Sequence, residues 1–445
     1  MNVKIVYLTS LVYSGVPWEA KMTKRKLSPR AIVILCAIVY FVSYFSRKDF
    51  AAAMAEMIFS GVIDKPLGGY ISMAMFVLYG VGQLVSGFLG DRLAPSHLLI
   101  SGLAVTAATN LLMPFVSGEV MIVLWGINGF AQAMLWPPIV RILADNLSRE
   151  TFVRANLVVT SAAHISTVLL YLYVPLCIEL ADWKFAFFTA SALAFSVGVV
   201  LVILTSVFAV GDKRNKTNTP DPVSNSTTKN DNNYLHLTLK AGLPAIFVAI
   251  ASMGFLRDGI ETWLPTLLSE AFSMDAGRSI LISVLLPVFA IASITAITLL
   301  HKTRLFSNEA RGSTVLFAGA IAVTLALVIC VQGTDGVSRG FTLVLACLVT
   351  AAMHAINFLY ISCLPGHFAR YERAATTSGI CNAFTYLGGA ISMYTIPAVS
   401  EWLGWPAVML TWCAVALVGA LLSVVALKRY TDFTRKDYEN EPLSE

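Results

Sequence analysis

Long apolar runs dominate this sequence and constrain its fold more than any other feature. A helix that crosses a bilayer needs about 20 mostly apolar residues in succession, and twelve stretches of the chain meet that requirement. Short segments of period-two alternation, the pattern of a membrane β-barrel, do not occur. The sequence therefore predicts an all-α membrane protein with twelve transmembrane helices. The predicted spans cover residues 31–59, 68–90, 97–116, 120–141, 154–178, 184–210, 240–269, 279–300, 312–331, 340–362, 374–398 and 404–427.

The composition excludes most other classes of protein. Hydrophobic residues make up 57% of the chain and charged residues only 13%, whereas soluble domains average roughly 25% charged residues. The net charge of +5 is scattered, which is unlike the clustered basic face of a nucleic-acid-binding protein. The seven cysteines form no CxxC pair, which argues against a zinc site and a disulfide framework. No nucleotide-binding or hydrolase motif is visible, so we expect neither a cofactor nor an enzymatic activity.

The spans fall into two groups of six. Residues 211–233 are polar and rich in turn formers, which predicts a flexible cytoplasmic linker. The linker segment extends to residue 239, just before span 7. The predicted organisation is an N-terminal segment, a six-helix half, the linker, a second six-helix half and a tail. These parts cover residues 1–30, 31–210, 211–239, 240–427 and 428–445.

The basic residues predict the orientation of the chain in the membrane. With the N-terminus inside, Lys65, Lys184, Arg278 and Arg339 are the only basic residues placed outside. Because cytoplasmic loops of membrane proteins carry an excess of Lys and Arg, both termini are expected in the cytoplasm, with the chain in the inner or plasma membrane. Met22, which opens a basic run, is a second candidate for the physiological start.

A local repeat relates the two halves. Span 1 reads F-S-R-K at 45–48 and span 7 reads F-L-R-D at 255–258, so their arginines are 210 residues apart. Thr-Ser pairs at 160–161 and 377–378 are 217 residues apart. These similar offsets across the linker favour a duplicated half, the architecture of transporters that bind substrate near the bilayer midplane.

The two repeated arginines are the strongest candidates for a binding site. Arg47 lies 16 residues after the start of its span, a depth of about 24 Å at a rise of ~1.5 Å per residue. An arginine at the bilayer centre costs ~2.5–3.5 kcal/mol to insert, so the presence of two such residues indicates a functional role. Two guanidiniums facing one cavity would match the oxygens of a phosphate or a carboxylate. The alternatives are that Arg47 is interfacial and that Arg257 pairs with Glu261 or Asp258.

Further motifs accompany these arginines. Span 1 reads Y-F-S-R-K-D-F-A-A-A-M at 44–54, and span 4 reads G-F-A-Q-A-M-L-W-P-P-I-V-R at 129–141. Spans 5, 7 and 11 contain A-H at 163–164, R-D-G-I-E-T-W at 257–263 and F-T-Y-L-G-G at 384–389. Along most of its length the chain resembles the organophosphate:phosphate antiporters of the major facilitator superfamily, such as the bacterial glycerol-3-phosphate and hexose-6-phosphate transporters. The superfamily's loop signature also appears, as G-F-L-G-D-R at 87–92.

The resemblance implies an exchanger of a phosphorylated small molecule for inorganic phosphate. We expect a monomer in the lipid bilayer, with no nucleic-acid partner. Arg47 and Arg257 match the two arginines of that family, and His164 matches its site histidine. The chain also departs from the family. Gln83 stands where a lysine is common, and the second half reads H-K-T-R at 301–304 in place of an acidic loop signature.

Other polar side chains along the spans are weaker candidates. His164 is either a phosphate ligand or an interhelical hydrogen-bond partner. Lys48 is about 100° around the helix from the neighbouring arginine, so it either lines the cavity or pairs with a carboxylate. Tyr44 shares the face of that arginine, and Asn382 and Tyr386 either line the pocket or pack between helices. Asp91, Arg92, Trp136, Pro137, Pro138 and Glu261 are candidates for gating or structural roles.

Three functions remain open on the sequence alone. The first is exchange of an organophosphate, such as a sugar phosphate or glycerol phosphate, for inorganic phosphate. The second is symport of an organic anion with protons or sodium. The third is a membrane sensor that binds an organophosphate without transporting it.

Overall fold

The computed structural model describes residues 27–90, 93–208, 234–301, 303–333, 335–371 and 373–438. Within them the chain folds into twelve helical segments of membrane length, which confirms the predicted all-α architecture. Ten of these are both long and apolar enough to cross a membrane, and α2 and α11 complete the set. Asp91, Arg92 and the predicted linker 211–233 lie outside the described residues. The segments are α1 (Pro29–Phe59), α2 (Lys65–Gly90), α3 (Pro95–Leu112), α4 (Gly118–Ala133 and Trp136–Asn146), α5 (Arg149–Leu180), α6 (Lys184–Val207), α7 (Leu243–Ala271), α8 (Ala276–Ile282 and Leu285–Leu300), α9 (Glu309–Cys330), α10 (Gly336–Asn357), α11 (Ala374–Leu403) and α12 (Trp405–Tyr438).

Shorter elements extend these segments. A 3₁₀ turn at Met113–Phe115 continues α3, and a seven-residue helix, Tyr234–Lys240, precedes α7. After α10 the chain continues as a π-helical turn, Phe358–Cys363, and a 3₁₀ segment, Leu364–Tyr371. A π-helical turn is rare and often lies at a functional site.

Local chemistry explains where several helices begin. The hydroxyl of Ser28 accepts a hydrogen bond from the amide of Ala31 at 3.3 Å, and Pro29 occupies the first turn of α1. Asp275 caps α8 by accepting from the amide of Arg278 at 3.1 Å. Each cap satisfies a backbone donor that the first turn of a helix would otherwise leave unpaired.

The helix α4 is broken at Trp136-Pro137-Pro138. Met134 and Leu135 form a turn between its two parts, and a proline has no amide hydrogen with which to continue a helix. The ring of Trp136 packs against that of Tyr40 on α1, with centroids 4.7 Å apart. The two prolines therefore have a structural role, and the tryptophan beside them packs against the first helix.

Contacts between the halves run from the centre of the molecule to the end at which α1 finishes, which we call the closed end. Gly69 of α2 lies so near α11 that an added Cβ would be 2.5 Å from the carbonyl oxygen of Met393. The rings of Tyr70 and Tyr394 are 6.0 Å apart, and Lys65 Nζ lies 2.7 Å from Glu270 Oε2. A small residue at a crossing lets two membrane helices approach closely, so α2 and α11 seal this end.

Candidate functional site

Arg47 lies at the centre of the interface between the halves. Its side chain is buried on α1, and its guanidinium carbon sits 4.0 Å above the ring of Tyr44 and 5.1 Å from the ring of Tyr79 on α2. Both aromatic faces attract the cation. In the described part of the chain, no carboxylate forms an ion pair with this arginine. Arg47 is therefore held in place by rings, and its charge is not neutralised by an acid.

Arg257 is held quite differently. Its Nε and Nη2 atoms donate to the two carboxylate oxygens of Asp258 at 2.9 and 3.0 Å. Its Nη1 atom donates at 2.8 Å to the side-chain oxygen of Asn357, the last residue of α10 before the π-helical turn. Of the alternatives open from the sequence, the pair with Asp258 is observed.

Glu261 joins the two halves at the level of the arginines. Its Oε2 atom accepts from Lys48 Nζ of α1 at 2.8 Å, and its Oε1 atom lies 2.7 Å from Nε2 of His354 on α10. The hydroxyl of Tyr171 on α5 donates to its backbone carbonyl at 3.2 Å. Lys48 thus pairs with a carboxylate, one of its two predicted roles.

The two histidines extend this network to α5. The ring of His164 meets that of His354 edge-on, with centroids 5.7 Å apart. His164 is conspicuous in the sequence because it is a polar side chain within an apolar run. His354 and Asn357 have the same property but are not among the residues predicted for the site. The same signal applied to span 10 would have found both.

The remaining predicted residues divide between the interface and the interior of one half. Tyr386 of α11 packs against Tyr79, with ring centroids 4.4 Å apart, so it lies beside the arginine of α1. Asn382 is half-buried one turn earlier. The amide of Gln83 donates to the carbonyl of Ala133 on α4 at 3.2 Å, within the same half. The role of each as a ligand remains a prediction.

Gly389 lets the helices close around the site. A Cβ at this position would lie 2.9 Å from Oδ2 of Asp258 and 2.9 Å from the ring of Phe76. These distances are shorter than ordinary van der Waals contacts, so any larger residue would press on the carboxylate that holds Arg257. The second glycine of the F-T-Y-L-G-G motif therefore positions the site.

The charges in this network do not balance. Arg47, Arg257 and Lys48 are cations, and Asp258 and Glu261 are the carboxylates that pair with the last two of them. Lys48 and Glu261 link α1 to α7, the helix that also carries Arg257, so the three cations lie on two helices in contact at this interface. Among the described residues, the charge of Arg47 has no ion-pair partner in this low-dielectric environment, which favours an anionic ligand with several acceptor oxygens.

Comparison with known families decides the superfamily. The family model described as Major Facilitator Superfamily matches residues 36–393, most of the chain. The chain belongs to the Major Facilitator Superfamily. It is a multi-span membrane protein of the transporter type, and the resemblance drawn from the motifs is confirmed by its relatives.

Three relatives are the most informative about function. The "Glycerol-3-phosphate transporter" of Bacillus subtilis is 27% identical over 396 residues, 84% of this chain and 86% of that protein. A "Probable hexose phosphate transport protein" of Chlamydia muridarum is 30% identical over 164 residues, 37% of this chain and 36% of that protein. The "Membrane sensor protein UhpC" of Salmonella typhimurium is 30% identical over 173 residues, 39% of each chain. The aligned part therefore spans little more than a third of the hexose phosphate and sensor relatives. None of the three is named as an enzyme.

Solved structures show the same fold. The peptide transporter POT in complex with sulfate superposes with a TM-score of 0.70, covering 91% of this chain and 95% of that one at 14% identity. At this identity the likeness concerns the fold alone.

Proposed function

We propose that this protein carries a phosphorylated small organic molecule, such as a sugar phosphate or glycerol phosphate, across the cell membrane in exchange for inorganic phosphate. The halves would rock about the network of Arg47, Arg257 and Glu261, exposing it to each side in turn. The relatives named as glycerol-3-phosphate and hexose phosphate transporters support the substrate class.

The observation that carries the proposal is the state of Arg47. It is buried at the interface between the halves, stacked on tyrosines and without an acidic partner in the described part of the chain. Such a cation is costly in a membrane protein. A phosphate group would offset that cost because its oxygens accept from both guanidiniums, including that of Arg257 on the opposite half.

The charge of Arg47, which has no acidic partner in the described part of the chain, also favours obligatory exchange. Closing the halves on an uncompensated cation is harder than closing them on a bound anion. If the barriers differ by only ~3 kcal/mol, the loaded carrier reorients roughly a hundredfold faster than the empty one. The carrier would then return mainly when loaded, as an exchanger does.

The basic residues support an orientation for this cycle. With the N-terminus and the linker in the cytoplasm, the closed end faces outward. The contacts of Gly69 with Met393 and of Lys65 with Glu270 would then have to separate for ligand to enter from outside.

Counterflow in vesicles tests the proposal. Purified protein is reconstituted, the vesicles are loaded with radiolabelled phosphate, and efflux is followed into plain buffer or into buffer with glycerol phosphate or hexose phosphates. Exchange predicts slow efflux into plain buffer, strong acceleration by external phosphate or organophosphate, and no response to a sodium gradient. Equally fast efflux into anion-free buffer, or uphill uptake driven by sodium or protons, would support the symporter instead.

A sensor without transport is the second candidate, because one of the relatives is named a membrane sensor protein. Calorimetric titration of the purified protein with the same organophosphates separates the two. A sensor would bind ligand and show no counterflow in vesicles that contain folded protein, whereas an exchanger would show both.

A further inference from the structure

A second cluster of polar side chains lies in the C-terminal half, at the end away from the closed end. It brings together His301 at the end of α8, Glu309 at the start of α9 and Cys363 at the end of the π-helical turn after α10. One nitrogen, oxygen or sulfur atom from each side chain lies within 4.8 Å of the other two. Three segments separated by loops therefore place three metal-ligand types in one spot.

The contacts of these side chains point to a missing cation. Nε2 of His301 is buried and has no hydrogen-bond partner in the described part of the chain. The carboxylate of Glu309 is only 3% exposed, and among the described residues its ion-pair partner is His367, an imidazole that is charged only when protonated, with no Lys or Arg beside it. Its oxygens are held by Nε2 of His367 at 3.2 Å and by the hydroxyl of Tyr430 at 3.0 Å. The carboxylate is thus satisfied, whereas the buried nitrogen of His301 beside it is costly unless a further group satisfies it.

We propose that His301, Glu309 and Cys363 bind a divalent transition metal ion, with Zn²⁺ the best match. Nitrogen, carboxylate oxygen and thiolate are the three donor types that zinc takes in proteins. Tetrahedral bond lengths of about 2.0–2.3 Å place donors about 3.3–3.7 Å apart, so the observed cluster needs a contraction of about 1 Å. Side-chain rotation can supply that movement.

The surroundings already resemble the outer shell of a metal site. His367 and Tyr430 fix the carboxylate of Glu309 from behind, as hydrogen-bonding partners commonly orient metal ligands. Three protein ligands leave a fourth tetrahedral position open for a water molecule.

Metal binding here would brace the helix that carries part of the anion site. Cys363 is six residues after Asn357, whose side chain accepts from Arg257. Ligation of the sulfur would tie the π-helical turn to the ends of α8 and α9. The same region is where the sequence departs from the acidic loop signature, reading H-K-T-R at 301–304.

Cobalt substitution tests the site without reference to transport. The full chain is purified without a histidine tag, freed of metal with a chelator and titrated with Co²⁺. A thiolate ligand gives a sulfur-to-cobalt charge-transfer band in the near ultraviolet, and tetrahedral coordination gives intense visible bands. Zn²⁺ is then added to displace the cobalt, and stoichiometry is measured by elemental analysis.

The expected result is one ion per chain, with both sets of bands and their loss on adding Zn²⁺. Cys363→Ser should abolish the charge-transfer band, and Glu309→Gln should weaken binding at least tenfold. Cys330→Ser is the matched control because it removes a cysteine of similar exposure from the opposite end of α9, and it should change neither.

Two results would overturn the proposal. The first is cobalt uptake below 0.1 equivalent per wild-type chain when the free Co²⁺ concentration is roughly a hundred times a typical micromolar dissociation constant. The other is a charge-transfer band that persists in Cys363→Ser. Size-exclusion elution at the wild-type volume verifies that each variant is folded, and Glu309→Gln tests the site should Cys363→Ser fail this check. Because no anion is present, these outcomes are independent of the transport assay.

Discussion

The ion pair between Lys48 and Glu261, at the level of the arginines, should stabilise the conformation in which the closed end is shut. It crosses from α1 to α7, and the side chains are 15% and 19% exposed, so it is largely shielded from solvent. We predict that Glu261→Gln shifts the protein away from the closed-end conformation, because the neutral amide cannot replace the ionic attraction. Lys48 then lacks its anionic partner in the closed form and gains water when the halves separate.

The size of the effect follows from the geometry. At the 2.8 Å separation of Lys48 Nζ and Glu261 Oε2, the gross attraction is about 6 kcal/mol at an effective dielectric constant near 20. Desolvation of the two ions offsets most of this attraction. A hydrogen bond to a charged group is worth a net of about 2 kcal/mol, which corresponds to about a thirtyfold change in the conformational equilibrium.

Thiol labelling measures this shift. Met393 is fully buried at the closed end beneath Gly69. A cysteine placed there, in a background in which the three partly exposed cysteines 330, 363 and 413 are replaced by serine, reacts with a maleimide only when the end opens. When closing is fast relative to labelling, the rate follows the open population. We expect Glu261→Gln to label about thirtyfold faster than the parent protein. The control is Glu119→Gln, which removes an exposed carboxylate from the first turn of α4. This substitution should change the labelling rate less than twofold.

A double variant separates the pair from the effect of the unpaired lysine. Lys48→Met combined with Glu261→Gln removes both charges. The labelling rate of this double variant should rise by a smaller factor than the product of the factors measured for the two single variants. Equal rates in Glu261→Gln and Glu119→Gln, or strictly multiplicative single and double variants, would refute the role of this pair in closure.

Four further substitutions test other parts of the structure. Arg47→Lys keeps the charge but loses the planar guanidinium and its stacking on the tyrosines, so exchange in vesicles should fall at least tenfold while the protein stays folded. Arg30→Lys, at an exposed position on the same helix, is the control and should exchange at the wild-type rate. Gln83→Lys adds a charge beside α4, so titration calorimetry should show tighter binding of doubly charged phosphate esters relative to singly charged ones if this position senses the ligand; an unchanged ratio would place it outside the site. Lys65→Met removes a more exposed pair, worth ~0–1 kcal/mol, so closed-end labelling should rise no more than about fivefold. Gly389→Ala should weaken phosphate binding while leaving the amount of folded protein in the membrane near that of wild type; wild-type affinity would show that the close packing on Asp258 does not position the site.

The fold could be predicted from the sequence because membrane helices leave a long, continuous signal. Apolar runs of about 20 residues reveal each span without knowledge of its neighbours. Arg47 and Arg257 could be found for the same reason, since a charge within such a run is conspicuous. The break in α4 was likewise predictable, because two consecutive prolines act locally.

The pairing of charges could not be predicted, since it depends on which helices meet. Asp258 and Glu261 were both plausible partners of Arg257 by sequence distance, and only the packing of α1 against α7 assigns Glu261 to Lys48. The amide of Gln83 could not be oriented without knowing where α4 lies.

The proposed metal cluster escaped the sequence for a related reason. Closely spaced cysteines are the signature of a zinc site formed by one or two loops, and this chain has none. His301, Glu309 and Cys363 come from three segments spread over 63 residues, so no spacing rule brings them together.

The doubly hydrogen-bonded pair of Arg257 and Asp258 has a consequence for the order in which a ligand is engaged. Asp258 is tethered next to its arginine, so its effective concentration is far above that of any dissolved anion. Arg47 has no such rival in the described part of the chain. If the two arginines bind an anion as proposed, an arriving anion would contact Arg47 on the first half without competition, and it would contact Arg257 only as Asp258 is displaced. On release, Asp258 would pair with Arg257 again first, so the last contact broken would be with the half that made the first.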